Sequence, residues 1–191
     1  MKFSVKFHDH TQQTLMRIFN EIGIPSVVVE IGCFEGETTF NLAHVLNVQK
    51  PSYVYYAIDP YKNSENLIQK VVDEAKKQFL QNVIDFPQVE LIEKTSFDGL
   101  LELHARKVQA DLIYVDGSHF AKDVLADAVL GFELLKIGGV MFFDDAVSWR
   151  YGTHIQESPK IAVDNFIQCN WDRLKVLETP TGYQVSIQKT K

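Results

Sequence analysis

Apolar and polar residues follow one another along this chain in blocks that predict strands and helices in turn. Val27–Ile31 is an almost continuous apolar run, which is typical of a strand covered on both faces in a parallel sheet. Similar runs end at Ile58, Ile92, Val115 and Phe143, and residues at helical spacing lie between them. Strands that alternate with helices predict right-handed crossovers and a parallel sheet. We therefore expect an α/β fold.

The two ends of the chain predict further elements. Met1–Phe7 is predicted to be an extended lead-in, and Thr11–Ile22 a helix with Thr11 as its N-cap. Leu174–Leu177 and Tyr183–Ile187 predict a terminal hairpin that adds an antiparallel strand. The other predicted elements are a helix over Asn63–Val83 with Leu67, Val71, Ala75 and Phe79 on its apolar face, a helix over Ala121–Leu135 with Val124, Leu125, Ala128, Val129, Phe132 and Leu135, a strand over Val140–Phe143, and a helix over Pro159–Gln168 capped by Ser158.

A glycine loop follows the first strand. Gly32 and Gly36 allow a tight turn or a close ligand approach, and a helix that begins at Thr38-Thr39 would direct its first N–H groups into the loop. A dinucleotide site requires G-x-G-x-x-G, but Cys33 occupies the position of the middle glycine, so no pyrophosphate is expected. The loop predicts a site for a nucleotide-like cofactor, with an ordinary strand-to-helix turn as the alternative. Cys33 is interpreted as a small side chain in this loop rather than as a reactive thiol.

Acidic residues follow three other predicted strands. Asp59, just before Pro60, is placed to accept hydrogen bonds from both ribose hydroxyls, with a turn-capping aspartate as the alternative. Asp116-Gly117-Ser118-His119 stands at the carboxyl end of the fourth strand, where ligands bind in open α/β sheets. The fifth strand ends in Asp144-Asp145. These residues predict one site along a single edge of the sheet.

Thr95 and Ser96 follow the third strand. Either of them can cap the next helix, and the alternatives are a capping role alone or a capping role combined with a contact to an adenine edge.

Composition narrows the class of protein. A chain of 191 residues with 46% hydrophobic residues suits one domain over residues 1–191. The net charge of -6 argues against a nucleic-acid partner, because phosphate binding requires clustered Lys and Arg. Two cysteines are too few for a disulfide scaffold, and no stretch predicts a membrane span or a signal peptide. We expect a cytoplasmic protein whose partner is a small molecule.

The order of elements, the Glu30-x-Gly32-x-x-x-Gly36 loop, Asp59 and the D-G-S-H sequence together resemble the class I S-adenosylmethionine (SAM) methyltransferases over most of the chain. Gly138–Asp145 adds a similarity to small methyltransferase-domain proteins and to the metal-dependent O-methyltransferases of the catechol, caffeoyl-CoA and macrocin types. The resemblance implies a Rossmann-like, seven-stranded, mostly parallel sheet with helices on both faces and an antiparallel C-terminal strand. It implies SAM as the cofactor, bound by Glu30, Gly32, Cys33, Phe34, Gly36, Thr38, Asp59, Pro60, Thr95, Ser96, Asp116 and Gly117.

A divalent metal site is also implied by the resemblance. In the metal-dependent O-methyltransferases, one carboxylate after the fourth strand and two residues after the fifth bind a divalent ion, usually Mg²⁺. Asp116, Asp144 and Asp145 stand at those positions, and they are the ligands implied for Mg²⁺ or another divalent cation. The alternative is that Asp144 and Asp145 form a turn pair and that only one of them contacts the cofactor or substrate.

The catalytic residues implied by the resemblance are Asp116 and His119. The catechol-type enzymes have a lysine general base where this chain has His119, and histidine can also remove a proton near neutral pH. The alternative for His119 is a residue that only caps the following helix. We expect a methyltransferase that acts on a small hydroxylated acceptor with help from a metal. A metal-independent N- or O-methyltransferase and a non-catalytic SAM-binding protein are alternatives, while the missing G-x-G-x-x-G disfavours an NAD-dependent oxidoreductase.

Two further regions receive interpretations. Residues 146–158 are predicted to form a lid loop, in which Trp149, Tyr151 and His154 are candidates to contact an acceptor ring. Residues 1–24 form a predicted N-terminal helical lead-in, which offers a surface for a homodimer. His8-Asp9-His10 is interpreted as a solvated helix entry rather than a metal site, because adjacent residues of an extended segment point to alternate sides.

Overall fold

The computed structural model of the chain describes residue 3 and residues 9–62, 68–146, 155–179 and 182–191, with only the backbone of residues 9 and 155. The helices are α1 Asp9–Ile22, α2 Glu37–Gln49, α3 Gln69–Asn82, α4 Ser96–Ala105, α5 Ala121–Leu134 and α6 Pro159–Cys169, with a short 3-10 helix over Ile155–Glu157. The strands are β1 Val27–Ile31, β2 Val54–Ile58, β3 Val89–Ile92, β4 Ala110–Val115, β5 Leu135–Phe143, β6 Leu174–Leu177 and β7 Val185–Lys189.

The strands form one seven-stranded sheet in the order β3-β2-β1-β4-β5-β7-β6. The pairs among β1 to β5 are parallel, and β7 is antiparallel to both β5 and β6. Ile31 of β1 lies opposite Ile58 of β2 and Val115 of β4, so these strands end at the same edge. This confirms the predicted α/β fold and places the segments after β1, β2 and β4 side by side.

The alternation of side chains along β1 explains why its apolar run is continuous. Val28 belongs to a buried cluster formed with α1, α2 and α3, whereas Val29 and Ile31 belong to a second cluster formed with α4, α5 and α6. All three side chains are at most 2% exposed. Because successive residues of a strand point to opposite faces, a strand covered on both sides needs apolar residues at almost every position.

Two helices differ in detail from the prediction. The α3 helix begins at Gln69, and residues 63–67, which the prediction included, lie outside the described residues. Val71 is 40% exposed while Val72 is 4% exposed, so the buried face starts one residue later than predicted. In α5, Leu125 and Val129 are exposed and Asp127 is buried instead.

The predicted helix caps are partly wrong. The α1 helix begins at Asp9, so Thr11 lies inside it and is not its N-cap. Ser158 precedes Pro159, which is the first residue of α6 as expected, but the Ser158 side chain makes no capping hydrogen bond to the described residues. Thr95 does cap α4, because its Oγ1 accepts a hydrogen bond from the Asp98 N–H.

The C-terminal elements follow the prediction more closely. Strands β6 and β7 form the expected antiparallel hairpin, although β7 runs two residues further than predicted. Strand β5 begins at Leu135, directly after α5, and not at Val140.

Candidate active site

The loop between β1 and α2 has a backbone that requires glycine. Gly32 has a φ of 83° and Gly36 a φ of 78°, both in the left-handed region. A Cβ atom on Gly32 would lie 2.3 Å from the backbone oxygen of Asp116, so β1 and the segment after β4 approach each other more closely than any side chain allows. A Cβ on Gly36 would lie 2.7 Å from the Phe79 ring. The loop is therefore fixed between β4 and α3, with Thr38 in the first turn of the helix behind it.

Asp59 binds the backbone of this loop. Its Oδ2 accepts hydrogen bonds from the N–H groups of Cys33 and Phe34, each at 3.0 Å. Its Oδ1 accepts one from the Tyr61 N–H at 2.9 Å, across Pro60. The turn-capping role that the sequence left open is thus present, and it occurs together with a contact to the glycine loop. A contact to ribose hydroxyls stays a prediction.

Glu30 lies beneath the loop and is 1% exposed. The hydroxyls of Thr39 and Tyr55 both donate to its Oε2, with the Tyr55 bond at 2.7 Å. Burial, opposed by the two hydroxyl bonds and helped by the Asp59 charge, raises the pKa of Glu30 to about 7. Glu30 therefore ties β1 to β2 and α2, and a direct contact to a cofactor stays a prediction.

Cys33 shows that three predicted carboxylates meet at one edge. Its thiol is buried, and burial raises its pKa well above the ordinary value, with Glu30, Asp59 and Asp116 each adding to the shift. A thiol in this environment is a poor nucleophile, which agrees with its interpretation as a small side chain. The convergence of Glu30, Asp59 and Asp116 is the arrangement predicted from their positions after β1, β2 and β4.

Asp116 lies at the end of β4 among other carboxylates. The hydroxyl of Tyr114 donates to its Oδ2 at 3.0 Å. Burial raises the pKa of Asp116, and the charges of Asp144 and Asp145 raise it further. Gly117 follows, and its Cα would lie only 2.6 Å from a Cβ on Gly32. The part of the sheet edge formed by the segments after β4 and β5 is thus strongly acidic, and it lies against the glycine loop.

Asp144 and Asp145 form a bend directly after β5 and contact different neighbours. The Asp144 side chain is directed toward α1, and its Oδ1 accepts hydrogen bonds from Thr11 at 3.1 Å and from the Gln184 amide. Asp145 Oδ2 lies 2.9 Å from Nε2 of His119. The two aspartates are therefore not equivalent, because one is held by Thr11 and Gln184 and the other pairs with His119.

The structure brings together a different trio from the predicted metal ligands. Among the described residues, Asp116, His119 and Asp145 each offer one ligand atom, and these atoms lie within 4.8 Å of one another. Asp144 is absent from this group, and its Oδ1 is instead held by Thr11 and Gln184. One nitrogen and two oxygen donors fit a first-row divalent ion such as Mn²⁺, Fe²⁺ or Zn²⁺ better than Mg²⁺, which prefers oxygen ligands.

His119 is not the N-cap of α5, because Phe120 occupies that position and no side chain caps the helix. Ser118 Oγ accepts a hydrogen bond from the Phe120 N–H at 3.2 Å and donates one to Asp123 at 2.7 Å, directly before α5. His119 instead pairs with Asp145, and its side chain is 42% exposed. No sequence pattern indicated that Tyr114 or Gln184 belongs to this region.

A crevice opens between the ends of β4 and β5. Asp116, His119, Asp144 and Asp145 line it, together with neighbouring residues from the ends of β4, β5, α5 and α6, which are Val115, Gly117, Ser118, Val124, Phe143, Ala146 and Pro159. Ala146 is the first residue of the predicted lid, but residues 147–154 and the candidates Trp149, Tyr151 and His154 lie outside the described residues, as does His8. The lid stays a prediction. No described helix is both long and apolar enough to cross a membrane.

Comparisons with solved structures show what this fold is similar to. The O-methyltransferase from Bacillus cereus in complex with S-adenosylhomocysteine (SAH) is 16% identical with a TM-score of 0.69, over 97% of this chain and 84% of that one. The O-methyltransferase NovP is 16% identical with a TM-score of 0.68, over 94% and 77%. An rRNA methylase from Streptococcus thermophilus is 15% identical with a TM-score of 0.64, over 98% and 100%. At these identities the likeness shows the fold.

The sequence itself identifies the family. No protein in the search of curated sequences matches this chain significantly. The family model described as a methyltransferase domain matches residues 29–146, which run from β1 through the end of β5. This segment covers more than half of the chain and contains the glycine loop, Asp59 and the whole acidic cluster. The chain therefore belongs to the methyltransferase-domain family and is a SAM-dependent methyltransferase with the class I fold.

Proposed function

We propose that this methyltransferase transfers the methyl group of SAM to a hydroxyl oxygen of a small molecule, and that a divalent ion bound by Asp116, His119 and Asp145 assists the reaction. The observation that carries the proposal is the position of this cluster. It lies at the ends of β4 and β5, directly beside the glycine loop whose Gly32 contacts the Asp116 backbone.

The first half of the sheet edge, formed by the segments after β1 and β2, is suited to hold the cofactor. Its backbone is fixed by Asp59 and by the close packing of Gly32, so the loop has its conformation before a ligand binds. The proposed adenosine contacts are Asp59 for the ribose and Ser96, Thr95 and Gly117 for the adenine. Bound SAM supplies an electrophilic methyl group, and methyl transfer then depends mainly on alignment of the acceptor oxygen. A preformed loop contributes to this alignment.

The second half of the edge is suited to the acceptor hydroxyl. A bound divalent cation would stabilise the negative charge that develops on the acceptor oxygen. The two carboxylates of Asp116 and Asp145 balance the charge of such an ion. His119 serves either as a ligand or as the group that takes the hydroxyl proton, and its 2.9 Å contact with Asp145 orients the ring for both roles.

The charge of the site favours a small acceptor over RNA. The polar wall of the crevice contains carboxylates, which repel phosphate groups. The whole chain carries a net charge of -6. A molecule with a vicinal diol, such as a catechol or a sugar, can place two neutral oxygens against the cluster, and we propose this class as acceptor.

Methyl transfer measured with defined acceptors tests the proposal. The purified chain is incubated with radiolabelled SAM and catechols, sugar diols, small amines or ribosomal RNA, each with Mn²⁺, Zn²⁺, Mg²⁺ or a chelator. We expect transfer to a diol that the chelator abolishes and Mn²⁺ restores. Asp145→Asn should lose this activity, while Asp164→Asn, on the exposed face of α6, should retain it. Transfer that survives the chelator would contradict the metal role, and transfer only to amines or RNA would contradict the acceptor class.

A further inference from the structure

A buried polar network connects Asp144 to helix α1 and to Gln184, the residue before β7. Gln184 is 6% exposed, Thr11 is 3% exposed and Thr14 is 1% exposed. The Gln184 amide nitrogen donates to Thr11 Oγ1 at 3.1 Å and to Asp144 Oδ1, while its amide oxygen accepts from Thr14 at 2.5 Å. Thr11 in turn donates to Asp144 Oδ1 at 3.1 Å.

The network has one consistent arrangement of protons. Each hydroxyl has one proton, so Thr11 donates to Asp144 and accepts from Gln184, and Thr14 donates to the Gln184 oxygen. Both amide protons of Gln184 are used, one on Thr11 and one on Asp144. If the amide were reversed, its oxygen would face the Asp144 carboxylate, so Thr14 fixes the orientation that holds Asp144.

The position of Asp144 determines the direction of Asp145. The Asp144 N–H donates to the Val115 oxygen at 3.1 Å, so the pairing of β4 and β5 continues to this residue. Asp144 and Asp145 form a bend directly after β5. Because the Asp144 backbone is held by β4 and its side chain is held toward α1, the start of this bend is fixed. The bend brings Asp145 Oδ2 to 2.9 Å from His119 Nε2.

From this geometry we propose that Gln184 and Thr11 are positioning residues that hold Asp144 inward and thereby place Asp145 against His119. Neither residue touches the crevice, and both act through Asp144. The inference rests on the proposed function for its effect on catalysis, but the geometric part, the His119–Asp145 contact, can be measured without any ligand. The network also makes the site dependent on α1, which is far from β5 in sequence.

Three variants separate this role from general stability. Thr11→Val keeps the volume and removes the hydroxyl, and Thr11→Ser restores it. Gln184→Met keeps the approximate length and removes the amide. Lys189→Met is the control, because Lys189 lies at the end of β7 and the change removes its buried hydrogen bond to the Phe132 oxygen of α5 without touching Asp144. All four proteins are tested as the full chain, and thermal unfolding reports how much stability each has lost.

The first readout is the imidazole signal of His119 in ¹⁵N NMR, assigned by its loss in His119→Gln. We expect Thr11→Val and Gln184→Met to shift this signal, Thr11→Ser to return it toward the parent value, and Lys189→Met to leave it unchanged. An unchanged His119 signal in both Thr11→Val and Gln184→Met, with the same loss of stability as in Lys189→Met, would overturn the inference. If Gln184→Met does not fold, the Thr11→Val and Thr11→Ser pair alone decides the question.

The second readout links the network to the reaction. Mn²⁺ affinity and kcat should each fall roughly tenfold in Gln184→Met, while KM for SAM stays within about twofold, because the glycine loop is not disturbed. A rise in KM for SAM with unchanged kcat would contradict the positioning role. If the parent chain binds no Mn²⁺ and yet His119 shifts as expected, the proposed metal assistance fails while the inference about Asp144 stands.

Discussion

The carboxylates at the edge where the parallel strands end have different surroundings in its two halves, the segments after β1 and β2 and the segments after β4 and β5. After β1 and β2, Asp59 is bound by three backbone N–H groups, and Glu30 is bound by two hydroxyls. After β4 and β5, Asp116 and Asp145 lie close together, with a histidine as the third member of their group. In the first half, the protein's own N–H and hydroxyl groups donate hydrogen bonds to the carboxylates. In the second half, two carboxylates lie close together and concentrate negative charge.

This difference suggests that the two halves of the edge have different functions. A loop whose polar groups are already bonded has a fixed shape, which suits recognition of one cofactor. Carboxylates that raise one another's pKa are stabilised by any cation that enters, which suits a site for a metal or for chemistry on a developing oxyanion. Gly32 joins the two halves, since its Cα touches the backbone after β4.

The largest expected effect is therefore that of Gly32→Ala, which forces the two halves apart. Its Cβ would lie 2.3 Å from the Asp116 oxygen, and its φ of 83° is also unfavourable for alanine. We expect a loss of more than about 4 kcal/mol in the free energy of unfolding, or no folded protein. Gly23→Ala is the control, because Gly23 has a φ of 75° but nothing within 4 Å, so only about 1 kcal/mol should be lost. Equal losses in urea denaturation would show that the contact is not tight.

The next largest effect distinguishes the two halves of the edge by the SAM affinity of variants in each half. Asp59→Ala leaves three backbone N–H groups without their acceptor, so we expect SAM affinity to fall by about 100-fold, or about 2.7 kcal/mol. Asp145→Ala should change SAM affinity by less than about threefold and should abolish metal-dependent turnover. Titration calorimetry of SAM into each variant measures both. The same loss of affinity in the two variants would contradict the division between cofactor and acceptor halves.

A third prediction concerns Asp127, a carboxyl buried between α5 and α4 beneath the acidic half. Asp127 is 1% exposed. Neither of its oxygens has a hydrogen-bond partner of normal geometry among the described residues. The nearby hydroxyl of Ser96 favours the charged form of the carboxyl. Burial raises the pKa of Asp127 from 3.8 to about 7. The folded protein therefore holds this proton more tightly than the unfolded chain, and its stabilising effect is lost as the pH rises from about 4 to about 7.

Asp127→Asn should remove that pH dependence. At pH 8 we expect the variant to be more stable than the parent by on the order of 2 kcal/mol, with a smaller difference at pH 4. Urea denaturation at several pH values measures the difference between the two proteins, so the other buried carboxyls cancel. A variant that is less stable than the parent at pH 8 would show that Asp127 has a stabilising partner when charged.

The smallest effect concerns the satisfied half of the edge. Tyr55→Phe removes one of the two hydroxyls on Glu30 and should cost about 1 kcal/mol, with a larger loss at pH 8 than at pH 5, where Glu30 is protonated. Tyr53→Phe is a matched control, because the buried Tyr53 hydroxyl has no hydrogen-bond partner in the part of the chain that the structure describes. Thermal unfolding that places both variants at the same stability would contradict the role of Tyr55.

The sequence predicts the sheet well because its signals are local. The buried strands, the glycine loop and the D-G-S-H sequence each show their role within a few residues, and the parallel pairing of β1 to β5 follows from the alternation of strands with helices. The turns at Gly32 and Gly36 could also be anticipated, because glycine allows a tight turn. The meeting of Asp59 and Asp116 at one edge follows from parallel pairing alone.

The details of the site depend on contacts that a linear pattern does not contain. Gln184 and Thr11 reach Asp144 from opposite ends of the chain, and nothing near either residue in sequence indicates a partner. Asp127 interrupts an apolar face, so the spacing of α5 indicated Leu125 and Val129 as core residues instead. The different contacts of Asp144 and Asp145 also depend on tertiary structure, because both residues lie in a bend after β5.

The account depends most directly on the cofactor that the first half of the edge binds. Titration calorimetry with SAM, SAH and NAD, with and without Mn²⁺, measures this on the full chain. The account predicts that SAM and SAH bind at the glycine loop, that NAD does not bind, and that Mn²⁺ binds to the parent chain but not to Asp145→Ala. Binding of NAD as tight as that of SAM would contradict the central claim.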